Sequence, residues 1–136
     1  MAQGIPPELI RPVNKRVLAY VQDLSAHSDI AEVLLKAVQP LGDVQVFCPD
    51  TAQYRYVVVS TRNVIFGFAV GMSTVAFRLD ERMKSRALMT GGLACEECGD
   101  DWVAVVHDLR DSDWPAVDVR FWAQKAYVYA RSTKVG

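Results

Sequence analysis

Apolar residues in the first forty positions recur every three to four residues. Val13, Val17, Leu18, Tyr20, Val21 and Leu24 share one side of a helical wheel, and Ile30, Val33, Leu34, Ala37 and Val38 share another after Ser28. The spacing predicts two helices. The first is opened by Pro12; the second is N-capped by Ser28 and stopped by Pro40 and Gly42. From residue 44 the pattern changes. Four runs, 44–49, 54–61, 64–70 and 74–79, are short and rich in β-branched and aromatic residues, as strands are. The connections Arg62-Asn63 and Gly71-Met72-Ser73 are far too short for a parallel crossover, which needs about a dozen residues, so these strands pair antiparallel. Gly67, inside the third run, marks a bulge or the close approach of another element.

Asp80 then caps a short helix within 80–92, with the Gly91-Gly92 pair beyond its end. A loop carrying Cys95 and Cys98 leads into a further strand over 101–109. The chain closes as a helix over 111–132, capped by Ser112 or Asp113 with Pro115 in its first turn. This order predicts the α+β class: an antiparallel sheet of about five strands with helices packed on one face, two of them N-terminal and one C-terminal. A single domain is expected over 1–136, with 1–42 as its helical part and 43–136 as the sheet, the short helix and the closing helix.

Composition narrows the class of protein. Hydrophobic residues make up 51% and charged residues 23% of the 136, which excludes disordered and fibrous chains. The opening MAQGIPPELIRPVNKR lacks the apolar run of a secretion signal, and no stretch approaches the roughly 20 apolar residues that span a bilayer. Three cysteines, only two of them close together, fit a reducing compartment, so a cytoplasmic protein without membrane contact is expected. The net charge of −1 is unevenly spread. Residues 95–118 hold eight acids and the single base Arg110, so the remainder is basic.

That basic remainder includes Arg78, Arg82, Lys84 and Arg86 within nine residues. With Arg55 and Arg62 on the preceding hairpin they form a candidate anion or nucleic-acid face, interrupted by Asp80 and Glu81; the alternative is a solvated charged surface.

The closing helix carries two apolar groups. Val119, Trp122, Ala123, Ala126 and Ala130 form a broad face suited to packing on a sheet. Trp114, Val117, Phe121 and Val128 form a second, heptad-like stripe. Either the N-terminal helices cover this stripe or a second copy does, which would make the protein a homodimer.

CEEC, residues 95–98, is the sequence's most chemical-looking segment. A structural zinc site wants four Cys or His ligands, and only Cys48 is placed to join Cys95 and Cys98. His107 lies at the far end of an extended strand. A redox pair normally sits at a helix N-terminus, whereas this pair follows a helix and is flanked by Glu96, Glu97, Asp100 and Asp101, which would raise its thiol pKa values. Plain loop cysteines are the default, with a metal site at Cys48, Cys95 and Cys98 or a redox or regulatory thiol as the alternatives.

No catalytic residues and no cofactor are expected. Ser60, Ser73 and Ser85 lack partners at any informative spacing, His27 suits a capping or solvent-exposed role, and the glycines of 67–71 do not open a helix. A small-molecule pocket lined by Tyr56, Phe66, Phe68, Trp122 and Tyr127 is the remaining enzyme-like or ligand-binding alternative.

The segments NVIFGFAVGMSTVAFRLDERMKSRAL, DDWVAVVHDL and FWAQKAYVYA follow one another in an order that resembles the YjbR (MmcQ-like) family and, more loosely, the TfoX N-terminal domain. The shared pattern is a strand pair, a short helix, a loop leading to Trp-Val-x-Val, and a closing helix with a Tyr near its end. Asn63 stands where the family often has Lys, and CEECGD replaces its usual aromatic and basic loop. The resemblance implies a double-wing α+β fold and a DNA-binding role, which the acidic loop would oppose. The sequence thus points to a non-enzymatic binding or regulatory domain, homodimeric, with nucleic acid as a candidate partner.

Overall fold

The computed structural model describes residues 5–49, 55–72, 74–106 and 119–132. Two 3₁₀ turns, Pro7–Leu9 and Pro12–Asn14, lead into α1 (Lys15–Val21) and α2 (Ser28–Val38). Strands β1 (Gln45–Phe47), β2 (Val57–Thr61), β3 (Val64–Val70) and β4 (Thr74–Arg78) follow. Then come α3 (Glu81–Met89), β5 (Leu93–Ala94), β6 (Trp102–Val106) and α4 (Val119–Ser132).

All neighbouring strands pair antiparallel in one sheet of order β1-β2-β3-β4-β6-β5. The α+β class and the antiparallel sheet are therefore as the sequence predicts. Two details are finer than expected. The sheet has six strands, because Leu93–Ala94 pairs with Val103 and Ala104 of β6. Two residues show no periodicity, so no pattern announces such a strand. Helices also lie on both faces: α2 and α4 pack on the face of Val57, Val59, Phe66 and Phe77, while α1 packs on that of Val58, Ile65, Phe68 and Trp102. The physical reason is visible in β3, where every residue is buried. A strand apolar at both parities must be covered twice.

Local chemistry explains the element boundaries. The first helix is shorter than its apolar pattern because Pro12–Asn14 is wound as a 3₁₀ turn ahead of it. The cap of α2 is His27, not Ser28: its Nδ1 accepts from the Asp29 N–H at 3.1 Å. Asp80 caps α3 as expected, with Oδ1 accepting from Met83 N–H at 2.8 Å. Arg62 and Asn63 both take positive φ, 52° and 65°, which a two-residue hairpin turn between twisted strands requires. Gly67 does mark a bulge and a close approach. The β2–β3 register shifts beside its partner Val59, and a Cβ on Gly67 would stand 2.9 Å from the Phe77 ring.

Candidate functional site

The six basic candidates do not form one surface. Arg55 precedes β2, while Arg62 lies in the turn at that strand's other end, about 20 Å away at roughly 3.3 Å per residue. Arg78, near the Arg62 end of the sheet, is buried. Its Nε donates to Asp101 Oδ2 at 2.9 Å and its guanidinium stacks 4.5 Å from the centre of the Tyr129 ring. The Tyr129 hydroxyl donates to the same carboxylate oxygen at 3.2 Å. Arg78 therefore ties β4 to the start of β6 and to α4 instead of facing solvent. Burial, as the main cause, pushes the Tyr129 phenol above its ordinary range, and Asp101 adds to this while Arg78 opposes it. On α3, Lys84 donates to the Asp100 carbonyl, and Arg86 stands 5.6 Å over the Phe121 ring. Arg82 and Arg86 remain exposed, four residues apart on one side of the helix.

Of the self-association stripe, Trp114 and Val117 lie outside the described residues, as do His107, Ser112, Asp113 and Pro115. Phe121 is half-buried: Trp122 meets it edge-on at 4.8 Å and the Lys125 ammonium stands 5.4 Å from its centre. Val128 is the exposed member, at 58%. The broad face behaves as predicted, with Val119, Trp122, Ala123, Ala126 and Ala130 all buried. At its end Arg131 bonds to Asp43 Oδ2 and the Thr61 hydroxyl, and the Tyr127 hydroxyl donates to the Gly42 carbonyl.

The five aromatics expected to line a ligand pocket are divided by the sheet. Tyr56 and Phe68 belong to the α1 side, and Phe66, Trp122 and Tyr127 to the α4 side, where Phe66 meets Tyr127 edge-on at 5.9 Å. They fill the two cores, which corrects that expectation. A groove of about 530 Å³ lies along the outside of α1. Ile5, Ile10, Pro12 and Leu18 line it, with Arg11 and Lys15.

The cysteine trio is likewise not assembled. Cys48 follows β1 at one edge of the sheet, and Cys95 follows β5 at the other, so five strand spacings of about 4.8 Å separate the two edges. Cys48 also packs on the α2–α4 side, whereas Cys95 and Cys98 pack on the α1 side. Among the described residues no three of His, Cys, Asp and Glu gather as a metal cluster.

Cys95 and Cys98 themselves do come together. Both are buried, with their Sγ atoms 3.4 Å apart, and no disulfide joins them. The Cys98 N–H donates to the Cys95 carbonyl at 3.0 Å, and the Cys95 N–H donates to the Trp102 carbonyl at 2.9 Å. Arg16 of α1 clasps the turn by donating to the Glu96 carbonyl. The Cys98 S–H draws the Cys95 thiol below its ordinary range, overcoming burial and Glu97. The same hydrogen bond, then burial, pushes Cys98 up. The acidic neighbours thus do not govern Cys95, because a hydrogen bond at contact distance outweighs charges pointing into solvent.

No protein-family model, curated protein or solved structure matches the chain. No helix among the described residues is long and apolar enough to cross a membrane.

Proposed function

We propose that the chain is a non-enzymatic binding or regulatory domain that works as a homodimer joined along the β5 edge. The observation that carries this reading is Ala87–Cys95, nine consecutive residues without a charge in a chain that is 23% charged. They run through the short edge strand β5. Met89 is 85% exposed and Leu93 55%, and Leu88 is also exposed. Exposed edges of monomers are commonly guarded by charge. On a two-fold axis every group meets its own copy, so an uncharged apolar patch suits self-contact and a charged one does not. The exposed Met89 and Leu93 are put here in place of the stripe Trp114, Val117, Phe121 and Val128, of which Trp114 and Val117 lie outside the described residues.

Light scattering across micromolar concentrations tests it. The expected mass is twice the 15.1 kDa of one chain, falling to a single chain in Met89→Glu/Leu93→Lys with unchanged circular dichroism. A wild-type monomer throughout would overturn the reading.

Nucleic acid is the second reading, supported by the exposed Arg82–Arg86 pair and by the sequence's resemblance to the YjbR family. It predicts heparin retention that falls steeply with salt and is lost in Arg82→Glu/Arg86→Glu. No retention at low salt would remove it.

A further inference from the structure

We propose that Cys95 and Cys98 form a thiol–disulfide exchange site, Cys95 attacking and Cys98 resolving, whose substrate is a low-molecular-weight disulfide. The inference is independent of self-association, since one chain supplies both sulfurs.

The geometry is that of a pair poised to close. A disulfide needs its sulfurs about 2.05 Å apart, and these stand at 3.4 Å on the two ends of a single tight turn, so bond formation asks for a shift of little more than an ångström. Their hydrogen bond shows that the two side chains already point at each other. The turn is held by a few separate bonds: Cys95 N–H to the Trp102 carbonyl, Cys98 N–H to the Cys95 carbonyl, Gly99 N–H to the Glu96 carbonyl at 3.2 Å, Trp102 N–H to the Gly99 carbonyl at 3.4 Å, Lys84 to the Asp100 carbonyl, and the Arg16 clasp. Behind Cys95 lies only the two-residue β5, at the sheet edge. Brief opening of this turn bares Cys95 without unfolding the cores. Cys95, exposed at 8% against 4% for Cys98, is the less deeply buried sulfur and so the one an incoming disulfide meets first; the lowered Cys95 thiol and the raised Cys98 thiol agree with that order.

In the first step the Cys95 thiolate attacks one sulfur of the small disulfide. A Cys95–S bond forms, the S–S bond breaks, and the departing thiolate takes up a proton. Cys98 then gives its proton to solvent and attacks Cys95 Sγ, which expels the second small thiol. The chain loses two electrons and two protons, and one small disulfide becomes two thiols. An excess of the reduced thiol runs the sequence backwards.

Cys48 is the internal control, being a half-buried thiol on the far edge of the sheet. The full chain is equilibrated with mixtures of oxidised and reduced glutathione, quenched in acid, alkylated and mapped by peptide mass. The expected product is a Cys95–Cys98 bridge that forms and reverses with the mixture while Cys48 stays alkylatable. Trp102 fluorescence should fall in step, because its ring shares the core of both sulfurs. Cys98→Ser should accumulate glutathione on Cys95, and Cys95→Ser should react on Cys98 at least ten-fold more slowly. The same bridge should form in Met89→Glu/Leu93→Lys, which separates this test from that of the dimer. Both thiols remaining alkylatable under fully oxidising mixtures, or glutathione found on Cys48 alone, would overturn the proposal. The wild-type mapping decides it even where a cysteine variant fails to fold.

Discussion

Asn14 is fully buried and donates through Nδ2 to the Asn63 carbonyl at 2.9 Å, joining the N-terminal 3₁₀ turn to the β2–β3 hairpin. The same amide donates to the Leu9 carbonyl at 2.8 Å, and its Oδ1 accepts from the Ile65 N–H at 2.9 Å. One side chain thus satisfies three backbone groups from two segments.

Replacing Asn14 by Leu leaves those three groups unpaired in the core. At about 1–3 kcal/mol for each unsatisfied buried group, with partial relaxation, a loss of about 3 kcal/mol is expected. Urea unfolding should show a lower midpoint at unchanged slope. Asn14→Asp should be no better, since it keeps the acceptor but loses both donations.

Arg78 and Asp101 should be strongly coupled. Removing either alone strands its partner beside Tyr129, and Arg78→Met should cost about 2–4 kcal/mol, as breaking a largely buried pair does. Adding Asp101→Asn to it should cost much less than a second such loss, a non-additivity that a double-mutant cycle measures.

Stability should decline in alkali. Burial is the leading cause that lifts the phenols of Tyr20, Tyr56 and Tyr129 above their usual 10.0. Each raised value means that the fold binds the phenolic proton more tightly than the unfolded chain. That stabilisation is complete below pH about 10 and is lost as pH rises through the folded-state values. Absorbance titration of the phenolates, run beside circular dichroism, should show part of the tyrosine signal appearing only as structure melts.

Gly67→Ala should destabilise by about 1–3 kcal/mol, the range for overpacking a filled core. Its new methyl group would meet the Phe77 ring at 2.9 Å and Val59 Cγ2 at 3.1 Å. A Gly67→Ala/Phe77→Leu double variant should recover part of the loss in the same unfolding assay.

Much of this architecture is legible in the sequence because it rests on local chemistry. Asp80 reads as a cap, Arg62-Asn63 as a hairpin turn, and the Trp122–Ala126–Ala130 face of α4 as buried. Much of what the sequence hides depends on which neighbours the fold brings against a residue. β5 exists only because β6 offers it an edge. Arg78 reads as one of a basic cluster until Asp101 and Tyr129, 23 and 51 residues later, are folded against it. Cys95 reads as a thiol among repelling acids until the Cys98 hydrogen stands beside its sulfur. His27, read as a capping or exposed residue, does cap α2, in the place expected of Ser28. The double burial of β3 was a partial signal: a run apolar at every position asks for cover on both sides.

That doubly covered strand has a consequence for tolerance to change. A library of single substitutions read out by survival of the fold should not show the every-other-residue stripe of a strand with one wet side. Across Val64–Val70 polar replacements should fail at each position in turn, an unbroken intolerant band. Over the exposed Arg82 and Arg86 of α3, by contrast, the same map should turn permissive.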